Sequence, residues 1–558
     1  MIKTARSFEA LVCLGVAALV TITGACTGGS LTKSTPPFDP GAPLVQFSTS
    51  HFAGAGNCAQ CHSNLKDASG NDVSIDSQWR STMMANAAKD PYYLAKVASE
   101  AADLPALKNA IEDACATCHM PMARTQAVSD GTAVGILGNG FLSSSNSLNK
   151  AALDGNSCTL CHQIQSSGLG TPDTFDGKYV IDTSTKAPNR IEFGHYANPL
   201  TGPMQAVVGF TPALGAQTNS AGLCGTCHTV YTPFVDSQGN VKGTFPEQTP
   251  YLEWTNSTYG SNPAGQLACQ FCHMPLASGP AAISNNPTTL TPRDSFYQHG
   301  FIGGSSLILN IMSSNVQDLK LSASSDQLLA TSQLTSTQLS SRSAQLSIAS
   351  STIENGALKV TLSVSDQAGH KFPTGFPSRR AWIQFTVTDA AGKVVFESGK
   401  PGADGKISGN DADSKTGVYE PHYDIITRSD QVQIYESIMR DTDGKVTYNL
   451  LRAASYLKDN RLLPTGFNKA TAPADAGVKG EAMDDANFTG GSDQVTYQIS
   501  LSGKGPYTVT ARLLYQTVSY QFGKAFVGGD ALVKSFLGYY QAADKTPALV
   551  SSVSKTLG

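Results

Sequence analysis

"HFAGAGNCAQCH", His51 to His62, holds two cysteines two residues apart, a histidine directly after the second, and another histidine seven residues before the first. One such stretch fits half a zinc site, a redox dithiol or a cofactor attachment point. Its repeats decide among them. The chain has 12 cysteines. Cys13 and Cys26 lie in the N-terminal segment, and the other ten form five pairs, each followed at once by histidine. They are Cys58-Ala-Gln-Cys61-His62, Cys115-Ala-Thr-Cys118-His119, Cys158-Thr-Leu-Cys161-His162, Cys224-Gly-Thr-Cys227-His228 and Cys269-Gln-Phe-Cys272-His273. Chance placement would give far less than one copy.

The spacing has a chemical reason. C-x-x-C-H is the attachment signal for c-type haem. Two residues between the thiols match their separation to the two vinyl groups of the porphyrin. The next residue then points its imidazole at the iron as proximal ligand. A thioredoxin-like dithiol needs neither five copies nor the histidines. Structural zinc couples such pairs in twos, and five is odd. Plain disulfides do not require histidine. The reading is five covalent haems c, held by the ten cysteines, with His62, His119, His162, His228 and His273 on the irons.

Composition bounds the rest. Charged residues are only 15%, and the net charge of −4 implies no nucleic-acid partner. Lys3 and Arg6 precede the apolar run Ala10 to Thr23, which is too short for a permanent span and reads as an export signal, residues 1–25. "TGAC", ending at Cys26, resembles a lipobox. It makes Cys26 a lipidation site and the expected protein a cell-envelope lipoprotein of the outer membrane, facing the periplasm or the outside; ordinary cleavage nearby is the alternative. Residues 26–46 are a Pro/Gly-rich tether.

The fold class expected is α+β. Residues 47–312 form a mostly helical and irregular region packed on its haems, because large apolar porphyrins replace ordinary side-chain packing. Its clearest helical stretch runs from Trp79 to His119, broken near Asp90-Pro91 and Leu104-Pro105. Residues 313–343 are a Ser/Thr/Gln-rich connector whose leucines at 319, 321, 328, 329, 334 and 339 predict a helix or helix pair. Residues 344–558 predict an antiparallel β-sandwich of roughly seven strands. Ile383, Phe385 and Val387 alternate with polar residues there, and a closing hairpin is expected around Gly503 to Pro506.

With "PEQTPYLEW", "CQFCHMP", "GHKFPTGFPSRRAW" and "YLKDNRLLP" beside the five motifs, the chain resembles the multihaem cytochromes c of metal-reducing, anaerobically respiring bacteria. Its haem region is similar to the tetrahaem cytochrome that takes electrons from hydroxylamine oxidoreductase. The resemblance runs from about Phe47 to Phe526. It implies an electron carrier or conduit with mostly bis-histidine haems.

Ten histidines less five proximal ones leave five for the sixth positions: His51, His195, His299, His370 and His422. His299, in "YQHGFIGG", resembles the family's distal H-x-F-x-G pattern. His51 is close enough to its motif to loop over a haem, and His195 and His422 sit in loops beside aromatic residues. His370 stands in a short turn between strands. Met83, Met84 and Met122 compete as ligands, a substitution that would raise a haem's potential. The function expected is electron transfer without bond chemistry, in an envelope or outer-surface path of anaerobic respiration, that is, extracellular electron transfer. Its partners would be other redox proteins, among them multihaem cytochromes or a porin–cytochrome complex, with the membrane reached by the lipid anchor. The alternative is an oxidoreductase that reduces a nitrogen or sulfur oxyanion at one open haem. A docking role for the β-region would add to either.

Overall fold

Each C-x-x-C-H motif closes a single helical turn, and that turn is the element from which the first half is built. In a turn of 3.6 residues, positions i, i+3 and i+4 share one face. The backbone shows the closure: the N–H groups of His62, His162 and His228 donate to the carbonyls of Cys58, Cys158 and Cys224 at 3.0, 3.1 and 3.0 Å. Both thiols and the imidazole are thereby carried on one side of their turn. The computed structural model describes residues 39–261, 266–502 and 504–558. The export segment with Cys13 and Cys26, and the start of the tether, lie outside the described residues. Among the described residues no helix is long and apolar enough to cross a membrane.

The first half is short helices joined by irregular chain. Proline and a cap set the clearest of them: the Asp90 carboxylate accepts from the N–H groups of Tyr92 (2.8 Å) and Tyr93 (3.4 Å), and Pro91 opens the helix Pro91–Asp103. A second helix, Lys108–His119, ends on the second motif. Residues 81–89, with Met83 and Met84, are turns rather than a continuing helix.

Within 313–343 the chain forms one long helix, Ser325–Arg342, which packs on the helix Ser306–Ser314 that ends where the connector begins; Leu319 and Leu321 lie in the non-helical chain between the two. Ser324 and Gln327 form a reciprocal capping box at the start of the long helix. Its leucines split by face, Leu328 and Leu339 buried and Leu329 and Leu334 exposed, as a helical period requires.

After residue 344 the chain forms two sheets. One has four strands in the order Ala344–Glu354, Ala357–Asp366, Ser492–Ser500, Ile425–Ile426; the last pair is parallel. The other has six, ordered Ser455–Asp459, Ile434–Arg440, Arg380–Thr388, Tyr507–Gln516, Ala548–Leu557, with Val394–Ser398 also on Arg380–Thr388. The first hairpin turns at Asn355-Gly356, both at positive φ (51° and 76°), which suits the twist of the strands it joins. Ile383, Phe385 and Val387 point inward and meet Val360, Leu362 and Tyr497 between the sheets.

Two features differ from the sequence expectation. Strands Ser492–Ser500 and Tyr507–Gln516 do not form a hairpin. They lie in different sheets, and the connection 501–506 crosses between them. Alternation along each strand says which face is buried, not which neighbour it pairs with. Secondly, "ALVKSFLGYYQA" is a helix, Ala531–Ala542, which leaves the sheets and packs on Pro91–Asp103 with Phe536 against Tyr92 at a ring separation of 5.2 Å. Residues 39–558 consequently form one compact unit, and the changes of pattern near 313 and 344 divide secondary-structure types within it.

The rings of Phe385 and Tyr497 stack at 3.8 Å across the sheet interface, both fully buried. Phe385→Ala is expected to lower the unfolding free energy by about 3–5 kcal/mol. Denaturant titration checks this, and a loss under about 1 kcal/mol would show that the interface does not anchor the fold.

Candidate metal and cofactor site

The five motif turns face one interior cavity of about 1450 Å³. Its wall includes all five motif histidines and every motif cysteine except Cys61. Trp79, Tyr93, Tyr251, Trp254 and Phe301 supply flat apolar surface between them. No disulfide joins any of the ten motif cysteines. A space lined by paired thiols, imidazoles and aromatic faces fits large, flat, covalently attached groups bearing metal. The donor set at each turn matches haem c: two thiols for two vinyl groups, one imidazole for one iron.

Thiols of different motifs lie close enough to perturb one another, Cys58 with Cys158, Cys118 with Cys227, and Cys224 with Cys269, and the turn Ala55–Cys58 packs on Cys158–Cys161 as Ala221–Gly225 does on Cys269–His273. Cys161 also lies close enough to Cys224 and Cys227 to perturb or be perturbed electrostatically. The first motif thus neighbours the third, the third neighbours the fourth, and the fourth touches both the second and the fifth. The Cys224–His228 turn is a junction.

The histidines are prepared as ligands. An imidazole that gives its Nδ1 proton to a carbonyl keeps a lone pair at Nε2. Nδ1 of His62 donates to the Ile283 carbonyl at 2.7 Å, that of His119 to Ala87 at 3.1 Å, that of His162 to Phe193 at 2.5 Å and that of His273 to Ile302 at 2.5 Å. The backbone often returns the bond: Phe193 N–H donates to the His162 carbonyl and Ile302 N–H to that of His273. Tyr93 lies flat on His119, at 3.7 Å and 2°. Burial pushes His119 and His228 down to about 4 and His299 to about 3, so these rings are neutral at pH 7.

Two of the expected sixth ligands meet motif histidines in the matching geometry. His299 faces His162 with ring centroids 6.4 Å apart and planes 21° apart, and His370 faces His273 at 6.2 Å and 17°. Two imidazoles on opposite sides of one metal, each with a metal–nitrogen bond of about 2 Å, stand roughly 6 Å apart between centroids. Both distal rings also hold Nδ1 against a carbonyl, Tyr297 for His299 (3.1 Å) and Lys371 for His370 (2.9 Å). His195 lines the cavity beside Tyr196 and Tyr297, its Nδ1 bonded to the Asn219 amide.

The remaining two are placed elsewhere. His51 is buried off the cavity, with Nε2 on the Ser129 hydroxyl at 2.7 Å and Nδ1 on the Arg190 guanidinium at 3.2 Å. His422 sits in the β-half: Nδ1 accepts from Gln433 and Asn460 at 2.8 and 3.0 Å, and Nε2 meets the Asp485 carboxylate at 3.0 Å. Proximity in sequence brought His51 to its motif but did not turn its ring inward, and an aromatic neighbour of His422, Phe488, belongs to the sheet core. Met83 and Met84 line the cavity, whereas Met122 is buried in the packing around Phe52 and Tyr93. Sequence reasoning missed the cavity-lining acids Glu100, Glu192 and Glu247; nothing in their local pattern marks them.

No family model matches this chain, and no curated protein matches it. Among solved structures it is similar to a penta-heme cytochrome c552 from Thermochromatium tepidum, at 14% identity, covering 90% of this chain and 98% of that one, with a TM-score of 0.47.

His51→Ala removes one partner of the buried Arg190 guanidinium and frees the exposed Ser129 hydroxyl to water, so it is expected to cost about 1–3 kcal/mol of stability. The number of histidine-ligated metal centres, counted by near-infrared and paramagnetic resonance spectroscopy, should stay as in wild type. Loss of one centre would return His51 to the ligand set.

Proposed function

We propose that this protein transfers electrons through five covalently held haems c. The observation that carries the reading is two pairs of opposed imidazoles, His162 with His299 and His273 with His370, near-parallel and about 6 Å apart, each ring tied at Nδ1 so that Nε2 is free for metal. Haem c supplies one-electron exchange at iron when bound. The chain's part is to keep the ligand set the same in both oxidation states. Rings already tied to carbonyls need little rearrangement when the charge changes, and imidazole on both faces leaves no coordination site for substrate. The nearness of the motif turns supports a route in the order first motif, third, fourth, then a branch to the second and the fifth. On this reading His195 is the candidate for a third bis-histidine centre, which requires the Asn219 amide to turn its oxygen toward Nδ1 so that Nε2 is left unprotonated, and His51 and His422 are structural.

One observation favours a second reading. Three histidines beyond the motif set reach the cavity, against five motif histidines. Two centres among those of His62, His119 and His228 therefore take another ligand, with Met83, Met84 and Lys96 on the wall, or stay open to a small oxyanion. We also propose export, lipid attachment at Cys26, an envelope location and redox-protein partners, on the strength of the N-terminal sequence and the five motifs.

The holoprotein should show five covalent haems by pyridine haemochrome assay and mass, and four after Cys158→Ala with Cys161→Ala. Fewer than five in fully matured wild type would sink the motif reading. His299→Ala should turn one low-spin haem high-spin. Prompt binding of nitrite or cyanide by the wild type, with turnover of nitrite, would move the function from carrier to reductase. Cys26→Ala should free the protein from membranes; a soluble wild type cleaved beyond Cys26 would exclude the anchor.

A further inference from the structure

Three of the sequence stretches that set this chain apart, "PEQTPYLEW", "GHKFPTGFPSRRAW" and "YLKDNRLLP", are distant in sequence and meet at one buried point. The first supplies Glu253, on the helix Pro250–Thr255 of the haem half. The second supplies Lys371 and Thr374, directly after His370. The third supplies Asp459 and Arg461 from the six-stranded sheet. Glu253 is fully buried, as is Lys371, and Asp459 and Arg461 are nearly so.

The bonding among them is dense. One Glu253 oxygen accepts from the Lys371 backbone N–H at 3.2 Å and from the Thr374 hydroxyl. The other meets Arg461 Nη1 at 2.9 Å and the Thr249 hydroxyl at 3.3 Å. Arg461 grips Asp459 with two bonds of 2.8 Å, and Lys371 Nζ reaches the same carboxylate at 2.8 Å. Two carboxylates and two cations give a group of zero net charge. Burying four charges costs more than packing apolar side chains there, so stability alone does not account for it. Its outlet is the turn it holds. The two residues of that turn bonded to Glu253 are the next residue and the fourth residue after His370, and the carbonyl that fixes the His370 ring belongs to Lys371.

We propose that Glu253 is a positioning and potential-setting residue for the His273–His370 centre: it locks the His370 turn of the β-half onto the haem half, and its charge favours the oxidised state of that iron. The inference rests on the ligation of His370 proposed above. Negative charge close to a metal stabilises the higher oxidation state, and low-dielectric surroundings enlarge the effect. Glu253→Gln leaves the group at net +1 with its shape kept, while Lys371→Met leaves it at net −1.

The test is a spectroscopic redox titration of the holoprotein and the two variants, with thermal unfolding alongside. Glu253→Gln should keep five haems attached and move one midpoint potential upward. Lys371→Met should move the same potential downward. Opposite shifts at one centre are not a consequence of loosened packing. Lower thermal stability with all five potentials unchanged in both variants would overturn the proposal and leave Glu253 as a structural tie only. If Glu253→Gln does not fold, the sign of the Lys371→Met shift decides, and no shift there overturns it. His370→Ala separates the two levels. If that variant keeps wild-type spin state and potentials, the ligation reading fails; if it turns one haem high-spin while Glu253→Gln changes nothing, only the present proposal fails.

Discussion

A hydrogen bond from imidazole Nδ1 to a backbone carbonyl is the interaction on which the site depends. It recurs at six histidines, four in motifs and two opposite them. Each bond selects the tautomer that leaves Nε2 unprotonated, and each fixes a ring direction. The motif acceptors come from chain outside the motif turns, such as Ile283 for His62 and Ile302 for His273, whereas His299 and His370 use carbonyls within two residues of themselves. The chain between the motifs is thus not filler. It carries carbonyls that orient the motif rings.

The same constraint explains why the β-half is part of the site. His370 comes from the turn between two strands, Ala357–Asp366 and Arg380–Thr388, that belong to different sheets. A rigid sandwich behind the turn sets the direction of the ring before any ligand is bound. Packing of Ala531–Ala542 on Pro91–Asp103, with the buried ion group around Glu253, joins the halves at two separate places.

Much of the site was legible before any coordinates. The five motifs name ten thiols and five imidazoles by spacing alone, and the structure brings the five turns to one cavity. The helix breaks at Asp90-Pro91 and Leu104-Pro105 and the inward face of Ile383, Phe385 and Val387 were equally local, each set by a cap, a missing N–H or a period of two. His299 and His370, singled out by their surroundings, lie on that cavity opposite His162 and His273. His51 and His422 looked similar and lie elsewhere, since a loop histidine does not show in its neighbours whether its nitrogens are already taken by an Arg190 or an Asp485.

Sequence by itself determined what is covalent or periodic: the number of attachment turns, the face each turn presents, and the alternation of the strands. Only the tertiary structure decided which turns adjoin, with the Cys224–His228 turn at a junction; which strands pair, with 492–500 and 507–516 in separate sheets; and which histidines face one another. The physical reason is range. Caps, turns and motif geometry are settled within a few residues, whereas a second imidazole at 6 Å or a partner for Glu253 is supplied by chain roughly a hundred residues away or more, through packing that no local pattern encodes.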